Sequence, residues 1–165
     1  MQRILAALLI IAGSAAMIAQ PDPLAALRFV IGEWQAIDTP PGESGSFTFT
    51  LAAGGHAIVR TNQADYAATP EHPASRHEDL LVIYSETGSL KADYFDSEGH
   101  VIRYGVTMRA PNVVVLVSAP NLREPRYRLT YTAGAGGVLL GSFETAPPGS
   151  PDAFRPYLSW KARRR

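Results

Sequence analysis

The chain has 165 residues, 46% of them hydrophobic and 18% charged, which suits one domain with a sizeable core and excludes a disordered or polyelectrolyte chain. Fifteen basic and fifteen acidic side chains cancel, so the long-range field that nucleic acid or an anionic membrane surface would attract is missing, and no nucleic-acid partner is expected. There is no cysteine, so folding must rest on burial alone.

The first element is a leader. Met1-Gln2-Arg3 is a short positive start, Ile4 to Ile11 is continuously apolar, and Ser14-Ala15-Ala16 offers the small residues a signal peptidase reads. Residues 1–19 are expected to be a signal peptide cleaved after Ala16 or Ala19. The apolar run is shorter than the roughly 20 residues that span a bilayer, and Gly13 and Ser14 interrupt it, so no stable membrane anchor is expected after cleavage. The mature chain, from residue 20 to 165, reads as one exported domain, periplasmic or extracellular.

That domain starts with a short helix. Asp22 can accept hydrogen bonds from the first free amides, Pro23 suits the first helical position, and Gly32 can take the left-handed conformation that ends the turn. Leu24, Leu27 and Ile31 form its apolar stripe, which must lie against something. From Glu33 onward the pattern changes to period two, with turn signals at short spacing. Strands are expected at 33–38, 44–51, 56–64, 77–84, 90–95, 100–108, 113–118, 126–131, 138–145 and 154–162. The second alternates strictly, with Ser44, Ser46, Thr48 and Thr50 on one face and Phe47, Phe49 and Leu51 on the other. Asp96-Ser97-Glu98-Gly99 is the best hairpin turn. The stretch from Tyr66 to Ser75, with two prolines, should be a loop or flap over one mouth. The Val113–Ser118 run is apolar on both faces and should lie deep in the sheet.

About ten strands with short connections and no intervening helix would leave two exposed edges unless the sheet closes. The fold class is therefore all-β: a ten-stranded antiparallel up-and-down closed barrel with a short N-terminal helix plugging one end. An open two-sheet sandwich is the alternative.

The Gly32-x-Trp34 pair, at the entry to the first strand after a short helix, resembles the start of calycin barrels: lipocalins, fatty-acid-binding proteins and nitrobindin-like proteins. The arrangement also resembles secreted bacterial lipocalin-like proteins of the DUF1579 type. The resemblance implies a hollow barrel able to hold a small, largely apolar ligand, with Trp34 as a floor plate and Arg163 or Arg164 packed across it. Arg155-x-Tyr157 is similar to the pair that grips a carboxylate in fatty-acid-binding proteins, although Pro156 between them departs from that pattern. The haem-ligating histidine of nitrobindin-like barrels lies late in the chain, whereas here no histidine follows His100, so no haem or other cofactor is expected. His56, His77 and His100 would be the substitutes.

Chemistry-bearing residues are sparse. The four histidines, at 56, 72, 77 and 100, lack metal-ligand spacing, and no metal site is expected. His77 and Asp79 share one strand face and form the candidate acid/base pair. Arg60 and Asn62 share a face, as do Arg126 and Arg128, with Tyr127, Leu129 and Tyr131 opposite. An arginine inside a barrel needs a partner carboxylate or a ligand anion, so an inward pair would mark a carboxylate site; otherwise Asp79, Asp93 or Glu144 would pair with it across strands. Tyr84, Tyr94 and Tyr104 recur on successive strands, as cavity lining or wall packing. The expected ligand-binding set is Phe47, Phe49, Arg60, Tyr84, Tyr94, Tyr104 and Arg128, holding a small apolar or amphipathic molecule non-covalently. The rivals are an enzyme using His77 and Asp79 on a hydrophobic substrate in the same cavity, and a ligand-free structural module of the cell envelope.

Overall fold

The computed structural model describes residues 22–165, and the leader read from residues 1–19, with its cleavage points, lies outside them. The ten strands are β1 (Gly32–Ile37), β2 (Glu43–Ala52), β3 (Ala57–Tyr66), β4 (Ser75–Glu86), β5 (Ser89–Asp96), β6 (Val101–Ala110), β7 (Val113–Ser118), β8 (Arg126–Ala133), β9 (Val138–Ala146) and β10 (Arg155–Arg164). Each pairs antiparallel with its sequence neighbours, and β1 pairs with β10 to close the barrel. Closure removes both free edges, as the meander requires. The open sandwich is thereby excluded.

The N-terminal plug differs in kind from the expected helix. It is a 3-10 helix, Ala25–Val30, and the buried stripe is Leu24, Leu27 and Val30, the three-residue period of that tighter helix. Ile31 is only partly buried and already extended. Asp22 Oδ1 accepts the Leu24 amide at 2.9 Å, while its Oδ2 pairs with Arg28. Gly32 does not end the helix; it opens β1 with φ +140, and a side chain there would collide with the Arg164 guanidinium. Glycine is needed both for that backbone angle and for the arginine's approach.

Side chains of alternate residues fill the plugged half. Phe49, Ile58, Ile83, Leu116, Tyr131 and Leu139 are at most 1% exposed and stand above Leu24, Leu27 and Val30. Trp34 forms the floor, with Nε1 donating to the Val30 carbonyl at 2.8 Å and its ring 6.3 Å from Phe47. The basic residue across it is Arg164, whose Cζ lies 4.6 Å from the indole centroid and which also donates to the Ile31 carbonyl. Val114, Val115 and Leu116 of β7 are all buried, so both faces of that strand are covered as its composition demands. Among the described residues no helix is long and apolar enough to cross a membrane.

Candidate functional site

Eight strands make a barrel that its own side chains can just fill, so ten leave room unless large residues occupy every layer. Here they occupy only the plugged half. The other half is a cavity of about 1190 Å³, open at the end where β3 leads into β4 and β5 into β6. Because it runs out through the mouth, it exceeds the ~300–1,000 Å³ usual for small-molecule sites.

The cavity has two unlike walls. On β8 to β10, Tyr127, Leu129, Phe143, Leu158 and Trp160 present an apolar, aromatic surface. Tyr127 and Phe143 stack with centroids 5.7 Å apart, and Tyr157 stands edge-on to Phe143. Trp160 can lie flat because its cross-strand partner is Gly141; a Cβ there would overlap the indole. Gly141→Ala is expected to cost about 1–3 kcal/mol in urea unfolding, with a shift of tryptophan emission as the ring is driven out of place.

The facing wall, on β3 to β5, is polar. Arg60, 5% exposed, donates from Nη1 to Asp79 Oδ1 at 2.5 Å and lies 5.3 Å from the Phe47 ring. Asn62 donates to the other oxygen of Asp79 at 2.9 Å. Burial works to lower the Arg60 pKa, but Tyr131 and Asp79 around it more than offset that, and the net direction is up: it stays a cation. Among the described residues the Arg60 Nε and the hydroxyl of Tyr131 have no hydrogen-bond partner. Burial pushes the Tyr131 phenol up to about 12. Tyr94 and Tyr104 are pushed up in the same direction, again chiefly by burial, and both remain neutral donors at physiological pH.

Nearer the mouth, His77 Nε2 lies 3.3 Å from Asp79 Oδ2 and from the Tyr94 hydroxyl, while its Nδ1 is 2.9 Å from Glu98. Asp96 accepts the backbone amides of Glu98 and His100 and pairs with the His100 ring at 2.8 Å. Asp96, Glu98 and His100 bring one ligand-type atom each within 4.8 Å of one another. Asp96 Oδ1 is already engaged by the two amides that shape this turn.

The structure divides the expected site residues. Phe47, Arg60, Tyr94 and Tyr104 line the cavity, as do His77 and Asp79. Phe49 does not: it is fully buried in the plugged half, edge-on to Phe47 and Tyr131. Tyr84 and Arg128 point outward, because inward positions are odd-numbered on both β4 and β8. Tyr84 donates to Asp93 across the β4–β5 pair at 3.1 Å. Arg128 grips Glu144 with two bonds of 2.6 Å on the outer surface. Arg155 is exposed and, unlike Tyr157, does not line the cavity, so no Arg-x-Tyr grip forms. The 67–74 connection is exposed beside the mouth, whose rim there is made by Tyr66, Ser75 and Arg76 rather than by a covering flap. Trp160, Leu129 and Phe143 are lining residues absent from the expected set.

The outer Arg128–Glu144 fork makes a pH prediction. The Arg128 hydrogen bonds hold the Glu144 carboxyl below its usual range. A folded-state pKa below the unfolded one stabilises at neutral pH, and this contribution is lost as pH falls below about 4.5 toward the folded value. The two side chains are 34% and 19% exposed, so solvent screening limits the effect to less than about 1 kcal/mol. Urea midpoints at pH 7 and pH 3 should differ less for Glu144→Gln than for the unmodified chain.

Together these features define the class: a closed ten-stranded antiparallel barrel with one plugged end and one open, amphipathic cup. No family model matches this chain, and no curated protein matches its sequence.

Proposed function

We propose that this protein is a calycin-like carrier or sensor barrel that holds a small amphipathic molecule non-covalently in the open cup, outside the cytoplasm. The observation that carries this reading is the cavity of about 1190 Å³ with an aromatic wall facing a wall of fixed hydrogen-bonding groups. Such a division orients a ligand: its apolar face lies against Tyr127, Phe143 and Trp160, and its polar edge meets Tyr94, Asn62 and Asp79. The Gly32-x-Trp34 entry with Arg164 across the indole supports the likeness to lipocalin and DUF1579-type barrels, and the leader pattern supports export.

The geometry favours binding over acid/base catalysis. Both ring nitrogens of His77 are engaged by neighbouring side chains, leaving neither aimed at a bound molecule. Native mass spectrometry tests the proposal: the protein, mixed with the neutral probe 1-naphthylmethanol, should carry one molecule per chain. Leu129→Trp, which would place an indole in the cup, should carry none. A filled variant that binds as well as the unmodified chain, or an unmodified chain that takes up nothing, would overturn it.

A further inference from the structure

Asp79 and Asp96 stand directly opposite each other in the β4–β5 register, on the cavity face, with side chains only 4% and 6% exposed. Like charges so placed destabilise a sheet. Arg60 answers Asp79 alone. Asp96 is met by two backbone amides, the His100 ring and the Tyr94 hydroxyl, and among the described residues it pairs with no guanidinium or ammonium. Burial works to raise its pKa, but the backbone and ring bonds from His100 outweigh that, so the carboxyl is held below its usual range and stays ionised.

The imbalance continues to the mouth. The residues lining the cup include five carboxylates, those of Asp38, Glu43, Asp79, Asp96 and Glu98, against the three cations Arg60, Arg76 and Lys161. Arg76 pairs with Asp65, which does not line the cup, and Lys161 and Asp38 pair with each other, leaving Glu43, Asp79, Asp96 and Glu98 against Arg60. The polar wall therefore carries net negative charge when His77 and His100 are neutral. Opposite it stand the aromatic side chains of Tyr127, Phe143 and Trp160, and a cation is attracted to the face of such a ring. An arginine facing inward by itself suggests a carboxylate ligand; with Arg60 already bonded to Asp79, such a ligand would meet carboxylates instead.

Resting on the reading of the barrel as a binding cup, we propose that its ligand class is an organic cation: a protonated amine on a flat apolar body. The ammonium lies between Asp96 and the Tyr94 hydroxyl, and the body lies on the Tyr127–Phe143–Trp160 wall. Repulsion by the desolvated carboxylates excludes anions of the same shape.

Three probes of one shape separate charge from apolar fit: 1-naphthylmethylamine, 1-naphthylmethanol and 1-naphthylacetate, titrated calorimetrically against the full protein. The amine should bind at least about tenfold tighter than the alcohol, and the acetate more weakly than either. Asp96→Asn should remove most of the advantage of the amine while leaving the affinity for the alcohol unchanged, with thermal unfolding showing that the variant is folded. An acetate that equals or exceeds the amine would overturn the cation assignment and leave the cup intact. Equal weakening of amine and alcohol in Asp96→Asn would make Asp96 a structural residue and overturn its role. Failure of all three probes to bind would overturn the binding cup itself. The comparison among probes on the unmodified chain stands even if the variant does not fold.

Discussion

Asp79→Ala is expected to lower unfolding stability by about 3–5 kcal/mol, because it leaves the Arg60 guanidinium buried without a counter-charge. Arg60 is 5% exposed, its Nη1 donates to Asp79, and among the described residues its Nε has no hydrogen-bond partner. A domain of this size has about 5–15 kcal/mol in total, so the variant should unfold at markedly lower urea. The double variant Arg60→Met with Asp79→Leu should recover most of the loss, since replacing both members of a buried pair by apolar groups of similar shape is often neutral. Urea denaturation of the single and double variants measures both. A single-variant loss below about 1 kcal/mol, the range of exposed pairs, would show that water reaches the guanidinium.

Trp34→Ala should cost a similar amount, about 3–5 kcal/mol, for a different reason. The indole is 3% exposed and joins three parts of the chain: its Nε1 bonds the carbonyl of Val30 in the plug, its face takes Arg164 of β10, and its ring stacks beside Phe47 of β2. Removing it opens a void where the plug, the closing strand and the second strand meet. Trp34→Phe keeps most of the packing but leaves the Val30 carbonyl unpaired, and about 1–3 kcal/mol should go. Thermal and urea unfolding of the two variants should rank them in that order. Equal losses would mean that the hydrogen bond, and not the ring volume, sets the stability of the plugged end.

The architecture was legible because each strand announces itself locally. Alternation from Ser44 to Leu51, the turn at Asp96–Gly99 and the short connections throughout all point to a meander, and a ten-stranded meander has to hide its edges. The plug was legible as a position but not as a helix type: six residues, Ala25–Val30, run straight into a strand, and the three-residue spacing of Leu24, Leu27 and Val30 carried the information. The facing of individual side chains was harder. The two-residue turn Thr87-Gly88 pairs Glu86 with Ser89, so the inward set passes from odd positions on β4 to even positions on β5. Once Asp79 is inward, that count sends Tyr84 outward and Tyr94 inward, although the two tyrosines look alike in sequence. On β8 the apolar run Tyr127, Leu129, Tyr131 already marked the inward face and so placed Arg128 outside. Trp160 gave no such signal, because the register shift after Pro156 breaks the parity count along β10.

The charge character of the cavity was the least legible feature. Arg60 and Asn62 were visible as a polar face, and Asp79 as a possible partner. Asp96 reads locally as the first residue of a turn, where an aspartate takes up free amides, and it does accept those of Glu98 and His100. That it also stands opposite Asp79 on the cavity face follows from the β4–β5 register, which no local pattern encodes.

The two tryptophans can report whether the open half of this barrel is a hollow that takes up a small molecule. Trp160 lines the cup, whereas Trp34 lies beneath it with its indole N–H held by the Val30 carbonyl. In an amide-correlation NMR spectrum each gives one indole signal. Saturating 1-naphthylmethanol should move the Trp160 signal and leave that of Trp34 in place. Two stationary signals, or movement of Trp34 alone, would contradict the hollow-cup reading.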